Sequence, residues 1–216
     1  MEKFKTLKDH VYEYIALLIR EGRLLPDQHI NENFICQELN ISRTPVREAL
    51  IQLAAEDVLE NRARKGFAIK ALSEKDICEL YAVIGVMDGF AAKLACDRLT
   101  EKDYKDMEFY IASMDLAIEA SNFEMYHKQQ HFFHQLYIDK CGNSALVDNL
   151  TRLQNKLLKT TYGDQNEDEI KEIFFTTNKE HRRILELFRA KDKTALAEYL
   201  SETHWRSSNA SYDLLV

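Results

Sequence analysis

A break between two apolar helical segments, at positions 39–42, constrains this chain more than any other feature. Leu39 ends the first segment, and Asn40 tolerates the left-handed backbone of a tight turn. Ser42 is a typical N-cap for the next helix, and Pro45 falls in its first turn, where the missing N–H costs nothing. The segment therefore predicts a helix-turn-helix unit.

The second helix of this unit carries two arginines on one face. Arg43 and Arg47 are four residues apart, which is one helical turn. The inward face is apolar and carries Val46, Leu50 and Leu53. Two guanidinium groups on one exposed edge suit the floor of a DNA groove. The pattern therefore predicts that this helix reads DNA.

Two short strands follow the helix-turn-helix. Residues 58–60 and 66–69 read as a hairpin joined by the basic segment 62–65, and Gly66 suits its turn. The chain before the turn supplies an amphipathic helix through Leu7, Val11, Tyr14, Ile15 and Leu18. Residues 1–70 are therefore predicted to form a winged helix-turn-helix with a positively charged wing tip.

The rest of the chain reads as helices with short breaks. Thr100, Asn122 and Asn143 are expected N-caps, and Gly142 and Gly163 are expected at helix ends. The last two helices are predicted over about 167–189 and 193–209, because apolar residues recur there at three- and four-residue steps. The prediction is a mainly α protein whose second domain, 71–216, is an all-helical bundle of about six helices.

A net charge of −7 is unexpected for a DNA-binding protein, but the charge is unevenly distributed along the chain. Residues 1–70 hold equal numbers of basic and acidic side chains, so the acidic excess belongs to the helical domain. Basic residues cluster at the helix-turn-helix and wing: Arg43, Arg47, Arg62, Arg64, Lys65 and Lys70.

Composition also bears on the compartment. No apolar run approaches the roughly 20 residues that span a bilayer, and the first six residues lack the apolar core of a signal peptide. The four cysteines are widely spaced, which indicates small buried hydrophobes rather than disulfides or a cysteine zinc site; redox sensing stays an alternative. We expect a cytoplasmic protein without a membrane partner.

Three stretches together carry a family likeness: residues 22–26, the segment 42–50 and Gly66 in the wing. They resemble the GntR family of bacterial transcription regulators over the first seventy residues. The helical domain resembles the FCD-type ligand-binding domain of the FadR-like branch, through Phe133-His134, Gly142-Asn143, His181 and His204. Asp27 and Asp57 depart from the pattern, because the family often has glycine at both positions.

The resemblance implies a set of DNA contacts. Arg43 and Arg47 would reach base edges in the major groove, whereas Ser42 and Thr44 would donate to phosphates at the helix N-terminus. Further contacts are implied for Asn33, Arg64, Lys65 and Gly66, the last three at the minor groove. The alternative is a solvated basic face on which Arg47 pairs with Glu48 or Glu56.

Three histidines of the second domain fall on apolar stripes of three different predicted helices: His134, His181 and His204. All three should face the interior, where converging imidazoles can form a facial metal site with water or an effector carboxylate in the remaining positions. The alternative is an effector pocket lined by hydrogen-bonded histidines without metal. The other histidines, His10, His29, His127 and His131, are expected in surface or packing roles.

The resemblance implies a divalent metal, zinc or nickel, on these histidines. It also implies an aspartate one turn before the first of them, where this chain has Gln130, a poorer ligand for a dication. Ile84 and Asp88 stand where many relatives have arginine and glutamate. Arg152 is a candidate anion partner for the effector.

These expectations combine into one predicted function. The chain would be a ligand-responsive repressor that binds a palindromic operator as a homodimer and responds to a small organic acid in its helical domain. One alternative is a metal-dependent hydrolase or oxygenase built on the three histidines. Another is a helical interaction module whose first domain binds protein.

Overall fold

The computed structural model describes residues 6–20, 23–25, 28–157 and 166–207. These divide into two compact units, one formed by the residues up to Ser73 together with 155–157, the other by the remainder from Glu74 onward. Several positions singled out by the sequence lie outside the described residues: Gly22, Pro26, Asp27, Gly163 and the end of the last predicted helix.

The first unit is a winged helix-turn-helix, which confirms the expected fold. It consists of α1 (Leu7–Arg20), α2 (Glu32–Leu39), α3 (Arg43–Ala55), β1 (Leu59–Arg62) and β2 (Gly66–Ile69). One apolar core joins these elements, and its fully buried members include Val11, Ile15, Val46, Leu50 and Ile69. Burial of these side chains holds the second helix of the motif with its arginine face outward.

The turn between α2 and α3 follows from its residue types. Asn40 ends α2 in the left-handed region, at φ 52° and ψ 47°, as its short amide permits. Asn31 caps the start of α2 by accepting from the backbone N–H of Asn33 and Phe34. Ser42 occupies the N-cap position of α3, but its side chain makes no capping hydrogen bond. The Ser42 hydroxyl is therefore available to another acceptor or donor.

The wing is an antiparallel hairpin in which Leu59 pairs with Ile69 and Arg62 with Gly66. The first strand begins one residue later than the sequence predicts and continues through Arg62, which belongs to the strand rather than to the turn. The turn consists of residues 63–65, and Arg64 takes a left-handed backbone at φ 63°. Gly66 follows at φ 81°, a value that glycine adopts without strain.

The second unit is a helical bundle, as predicted. Its helices are α4 (Glu74–Ala95), α5 (Glu101–Glu119), α6 (Phe123–Ile138), α7 (Ser144–Lys156), α8 (Glu167–Ala190) and α9 (Lys193–Tyr199), and α9 runs into a π-helical turn, Leu200–His204. The last two residues of α7 belong to the first unit. Thr100 and Asn122 cap α5 and α6 as expected, and Asn143 accepts from the N–H of Leu146 at the start of α7. No helix in the described ranges is long and apolar enough to cross a bilayer.

Helix α4 packs unusually closely against α9 and the π-helical turn, because two glycines remove side chains from the contact. A Cβ on Gly89 would lie 2.7 Å from the carbonyl oxygen of Ala197, and one on Gly85 would lie 2.9 Å from Cβ of Trp205. This approach brings Asp88, on the same helix, within hydrogen-bonding distance of the Trp205 indole. The glycines therefore help to assemble the polar centre of the bundle.

Candidate DNA interface and buried histidine cluster

The predicted DNA-reading face is exposed on the first unit. Arg43 and Arg47 lie one turn apart on α3, and both side chains are exposed, as are Ser42 and Thr44 at the helix N-terminus. Asn33, on α2, accepts a hydrogen bond of 2.8 Å from a guanidinium nitrogen of Arg43. The arginine is therefore held in place by the preceding helix while its other donors stay available.

The geometry does not support the alternative in which Arg47 pairs with Glu48 or Glu56. Glu56 accepts hydrogen bonds from Tyr12 and from Gln52, at 2.7 and 3.0 Å. Within the described ranges, Arg47 forms no ion pair with Glu56 or Glu48. Its side chain is exposed to solvent.

The basic residues of the wing differ in their pairing. Arg62 pairs with Glu60, and Lys70 lies 2.5 Å from a carboxylate oxygen of Asp57, so both cations are locally neutralised. The exposed cations of the turn are Arg64 and Lys65. The left-handed backbone of Arg64 is costly for a side chain with a Cβ, by about 1–2 kcal/mol.

The structure explains one departure from the family pattern, the aspartate at position 57. Its backbone is left-handed, at φ 62°, the conformation for which glycine is the usual residue. Burial raises the pKa of its carboxyl, but hydrogen bonds from Lys70 and Lys156 together lower it by more, so the net shift is downward. An aspartate at this turn is therefore compensated by an ion pair that a glycine could not make.

In the second unit, the three predicted histidines meet in the core. His134 from α6, His181 from α8 and His204 from the π-helical turn are all buried. The Nε2 atom of His134 lies 3.3 Å from Nε2 of His181 and 3.1 Å from Nε2 of His204. The same three residues form a group that could hold a metal ion, with one ligand atom from each.

The opposite ring nitrogen of each imidazole faces an oxygen. Nδ1 of His134 lies 2.7 Å from the Tyr137 hydroxyl and 3.2 Å from a carboxylate oxygen of Asp88. Nδ1 of His204 lies 2.9 Å from a carboxylate oxygen of Glu180. These acceptors favour the tautomer that carries its proton on Nδ1, which leaves the Nε2 lone pair for a ligand role.

The third imidazole, that of His181, is oriented by the side-chain amide of Asn178. The groups around this amide determine which way its oxygen points. The Nδ2 group of Asn178 donates to the carbonyl of Ile111 and to the carboxylate of Asp115, at 3.0 and 2.8 Å. Its oxygen is thereby directed to Nδ1 of His181, at 3.3 Å. His181 accordingly donates from Nδ1, and its Nε2 lone pair also points to the centre.

Burial disfavours the protonated form of His181 and of His204. It lowers the pKa of His181 well below the usual value, and the neighbouring His204 and His134 lower it further. Burial likewise lowers the pKa of His204, although the hydrogen bond to Glu180 opposes that shift. Neutral imidazole is the form that ligates a metal.

Two buried carboxyl groups lie beside the cluster, and the surroundings of Asp88 favour its charged form. Burial alone would raise the pKa of Asp88, but hydrogen bonds from His134, Tyr137 and Trp205 lower it below the ordinary value. Glu180 is buried too, and its nearest described cation apart from the imidazoles is Arg206, at 3.7 Å. The centre of the bundle therefore brings three imidazoles together with the side chains of two acidic residues, a set of groups that suits a dication.

The spacing of the donors fits a metal. A zinc–nitrogen bond is about 2.0–2.1 Å, so two imidazole nitrogens on one ion are about 2.9–3.4 Å apart at angles between 90° and 110°. Both Nε2 separations of His134 fall within that range. Three ligands from the protein leave coordination positions for water or a small anion.

Sequence reasoning missed the residues that orient the imidazoles. In the sequence, Asp88 stands out only as a departure from the family pattern, and the predicted site does not include Asn178, Glu180 or Trp205. A signal was available, because Asn178 lies one turn before His181 and shares its face. Nothing in the sequence indicates that Asp88 and Trp205 meet, since this depends on the close contact of α4 with the π-helical turn.

The remaining predicted residues lie apart from the cluster. Gln130 lies one turn before His134 and is partly exposed, and its amide makes no hydrogen bond to the three imidazoles among the described contacts. Arg152 is exposed on α7. His10, His29 and His131 are exposed as well, whereas His127 is largely covered and contacts the rings of Tyr126 and Phe174.

Known proteins resemble this chain over both units. Residues 7–69 match the family described as bacterial regulatory proteins, gntR family, and residues 79–206 match the FCD domain. An uncharacterized HTH-type transcriptional regulator of Bacillus subtilis, YdhC, is 28% identical over 196 residues, covering 88% of this chain and 84% of that protein. The gluconate operon transcriptional repressor of the same species is 30% identical over 132 residues, covering 61% and 52%.

A solved structure shares the fold. Escherichia coli McbR/YncC superimposes with a TM-score of 0.84 at 20% identity, and the match covers 98% of each chain. The family and these relatives are transcription regulators, so the expectation of a regulator rather than an enzyme is confirmed, and the hydrolase or oxygenase alternative is not favoured. With the winged helix-turn-helix and the helical bundle both accounted for, this chain belongs to the GntR family of bacterial transcription regulators and carries an FCD domain.

Proposed function

We propose that this regulator is a ligand-responsive repressor in the cytoplasm, which binds a palindromic operator as a homodimer. The observation that carries the proposal is the exposed face of α3. There Arg43 is steadied by Asn33, and Arg47 is free of ion pairs in the described ranges. Repression is supported by the likeness to a gluconate operon repressor.

The two arginines suit direct reading of guanine. A guanidinium fork matches the O6 and N7 acceptors that guanine presents in the major groove, and one bidentate contact discriminates by about 1–3 kcal/mol. Ser42 and Thr44 are exposed beside the first backbone N–H groups of α3, a suitable place for a phosphate. Arg64, Lys65 and Gly66 in the wing would contact the backbone or minor groove nearby.

A homodimer follows from the small size of this reading surface. One recognition helix contacts only a few base pairs, which gives too little affinity and specificity for a unique site in a genome. Two copies related by a two-fold axis would read two inverted half-sites.

Selection from random oligonucleotides tests the DNA-binding proposal. We expect an enriched site with two inverted half-sites that contain guanine at the positions read by Arg43 and Arg47. An enriched site without inverted symmetry would overturn the palindromic operator. Recovery of no enriched sequence would overturn sequence-specific binding and would favour the alternative of a protein-interaction module.

We further infer that the buried cluster holds one divalent metal, zinc or nickel, on His134, His181 and His204. The Nε2 separations of 3.1 and 3.3 Å and the hydrogen-bonded Nδ1 atoms support this inference. Bound metal would supply a Lewis acid whose open positions accept a carboxylate. In that role the chain's own residues fix the imidazoles and exclude bulk water.

The proposed effector is a small organic acid. Its carboxylate would complete the coordination shell that the three imidazoles leave open. Gln130, one turn before His134, is the proposed neighbour of that shell, as an amide that could hydrogen-bond the acid or a water. A role for Arg152 as an anion partner stays a prediction, because the side chain is exposed on α7.

Elemental analysis of protein purified without a histidine tag or chelator tests the metal proposal. We expect close to one metal per chain in the wild type and less than about a tenth in His181→Ala. Asp88→Asn keeps all three ligands but changes the group that orients His134, so its zinc affinity should fall about 10- to 100-fold. A wild-type chain with less than a tenth of a metal, and no uptake of zinc or nickel by titration, would overturn the proposal.

Thermal-shift screening then addresses the effector. A ligand that binds only the folded state raises the unfolding midpoint. Organic acids should raise the midpoint in the presence of zinc or nickel and lose most of that effect in His181→Ala. An acid that raises the unfolding midpoint of the wild type and of His181→Ala equally binds outside the histidine cluster.

A further inference from the structure

The three imidazoles of the buried cluster differ in the kind of group that faces Nδ1. Nδ1 of His134 faces the carboxylate of Asp88, and Nδ1 of His204 faces the carboxylate of Glu180. When ionised, a carboxylate can only accept a hydrogen bond, so it favours a proton on the Nδ1 atom that faces it. The third imidazole faces a neutral amide instead.

An amide can favour either tautomer of an imidazole, because it has an acceptor on one side and a donor on the other. With its oxygen toward His181, Asn178 accepts from Nδ1 and leaves the lone pair on Nε2. If the amide turned over, its NH2 group would donate to Nδ1, and the proton of the neutral ring would move to Nε2. A protonated Nε2 has no lone pair for a metal. The direction of this amide therefore decides whether His181 can be a ligand through Nε2.

Two acceptors on α5 hold the amide in the direction that suits a ligand. The NH2 group of Asn178 donates to the backbone carbonyl of Ile111 at 3.0 Å and to the carboxylate of Asp115 at 2.8 Å. If the amide turned over, its oxygen would face both of these acceptors. Oxygen against oxygen is unfavourable in a buried setting, so both contacts oppose the reversed direction.

Asp115 is itself held by an arginine. One of its carboxylate oxygens accepts from Asn178, and the other accepts from Arg182. Asn178 and Arg182 are four residues apart on α8, so the two donors lie one turn apart on the same face. The side chain of Arg182 is 43% exposed, whereas Asn178 is completely buried. The contacts therefore form a chain from the surface to the histidine cluster.

We propose that Asp115 is a positioning residue of the metal site. Through the amide of Asn178, it keeps the proton of His181 on Nδ1 and the lone pair of Nε2 available to the ion. The inference deepens the proposed function, because it rests on metal binding by the three imidazoles. The carboxylate acts at one remove, since the amide lies between it and the ring.

A second ion pair joins the same two helices and provides a matched comparison. Glu108 accepts from Arg189 at 2.8 Å, and each of them lies seven residues from its counterpart in the pair of Asp115 with Arg182. Among the described contacts, Glu108 makes no hydrogen bond to Asn178. A role that consists only of joining α5 to α8 would be shared by both acids, whereas direction of the amide belongs to Asp115.

Zinc titration of the full chain against a chelator of known affinity tests the proposal. Asp115→Leu removes the acceptor and should lower the zinc affinity about tenfold, the smaller effect expected of a group that orients a ligating histidine at one remove. Asp115→Ala also removes the acceptor without adding bulk, and it carries the same expectation.

Two further variants show which property of the carboxylate matters. Asp115→Asn loses the charge but keeps an oxygen that can accept from Asn178, so its zinc affinity should stay within about threefold of the wild type. Glu108→Leu removes the other ion pair between α5 and α8 and should bind zinc as the wild type does. Circular dichroism should show equal helix content in all of these proteins.

The tautomer of His181 gives a readout that does not depend on metal. Two-bond proton–nitrogen correlation spectra of metal-free protein with isotopically labelled histidine distinguish a proton on Nδ1 from a proton on Nε2. The signals of this ring are assigned by their absence in His181→Ala. We expect the Nδ1 form in the wild type, in Asp115→Asn and in Glu108→Leu, and a larger share of the Nε2 form in Asp115→Leu.

The outcomes separate this inference from the metal proposal. An Asp115→Leu protein that keeps the wild-type tautomer or the wild-type zinc affinity would overturn the positioning role. Equal losses of zinc affinity in Asp115→Leu and Glu108→Leu would overturn it too, because they would assign the effect to the joining of α5 and α8. A wild-type chain that takes up neither zinc nor nickel would overturn the metal proposal, while the tautomer of the metal-free protein would still decide whether Asp115 directs the amide.

Discussion

Arg47 and Lys65 are both exposed cations of the first unit, but their chemistry and positions differ. Arg47 lies on α3 and presents a planar fork suited to a base edge, whereas Lys65 lies in the wing turn and presents a point charge suited to a phosphate. We expect Arg47→Ala to abolish the preference for the selected site, at a cost of about 1–3 kcal/mol per half-site. Lys65→Ala should weaken binding to every sequence alike.

Fluorescence anisotropy with the selected site and a scrambled duplex, each at several salt concentrations, separates the two effects. Lys65→Ala should reduce the slope of log affinity against log salt by about 0.9 for each phosphate that the variant no longer neutralises, while the ratio between the two duplexes stays constant. An Arg47→Ala protein with an unchanged ratio would show that α3 does not read bases through this residue.

His127 provides a prediction about pH. Burial lowers its pKa to about 4, against an ordinary value of 6.5. Between these values the unfolded chain binds more protons than the folded one, so the free energy of unfolding is intact above pH 6.5 and falls as the pH falls toward 4. At 1.36 kcal/mol per pKa unit, this one group should cost roughly 2 kcal/mol between pH 7.5 and pH 5.

Urea unfolding of the wild type and His127→Phe at pH 7.5 and pH 5 measures this contribution. The phenyl ring keeps the contacts with Tyr126 and Phe174 but does not titrate. On acidification, the free energy of unfolding of the variant should therefore fall by about 2 kcal/mol less than that of the wild type. Equal decreases in the two proteins would mean that His127 is not held neutral by burial.

Single residues also show what the sequence alone could and could not reveal. The left-handed turn at Asn40 was predictable because it depends on the residue itself and on its neighbours in the chain. The role of Asp88 was not, since its carboxylate meets His134 and Trp205 only after three elements have packed. In the sequence, a carboxylate that is buried in the fold cannot be distinguished from an exposed charge on a helix.

At the scale of elements, the contact between α4 and α9 depends on Gly89. A Cβ at this position would lie 2.7 Å from the carbonyl oxygen of Ala197, so Gly89→Ala must push the two helices apart. Alanine alone would favour the helix by about 1 kcal/mol, whereas overpacking costs about 1–3 kcal/mol. We therefore expect Gly89→Ala to lower the free energy of unfolding, although the higher helix propensity of alanine alone would raise it.

Trp205 reports on the same contact, because it is the one tryptophan of the chain. Its indole N–H donates to Asp88 at 2.7 Å in a buried setting. Separation of α4 from the π-helical turn should shift tryptophan emission of Gly89→Ala to longer wavelength and weaken zinc uptake. A stabilised variant with unchanged emission would show that the helices accommodate the methyl group without moving.

The π-helical turn is the element that periodicity could not predict. The apolar spacing indicated one regular helix from residue 193 onward, with His204 on the stripe of Leu200 and Ala197. The structure instead changes from α9 to a π-helical turn at Leu200, and both His204 and Trp205 become buried. Such a turn widens the helix locally, and the apolar periodicity of the sequence gives no sign of it.

At the scale of the whole chain, the two units were predictable because each has strong local signals. Caps, a tight turn and a hairpin define the first, and helical periodicity without proline defines the second. The convergence of His134, His181 and His204 followed from their shared inward faces, although they come from three different elements. Their hydrogen-bond partners did not follow, since partners distant in sequence leave no periodic trace.

The proposed regulator links metal in the second unit to DNA in the first, and this linkage has a thermodynamic consequence. If zinc changes the affinity for the selected DNA site by some factor, that DNA must change the affinity for zinc by the same factor. Regulatory coupling typically amounts to about 1–3 kcal/mol, or roughly 5- to 150-fold. We expect a factor within this range.

Two titrations on the same protein measure this coupling factor. One gives the DNA affinity with and without zinc, and the other gives the zinc affinity with and without the DNA site. His181→Ala is the matched control, because it removes one imidazole from the buried cluster and leaves the exposed face of α3 unchanged. That variant should bind DNA with one affinity at all zinc concentrations. A wild-type factor near one would mean that metal in the cluster stabilises the helical domain without regulating DNA binding.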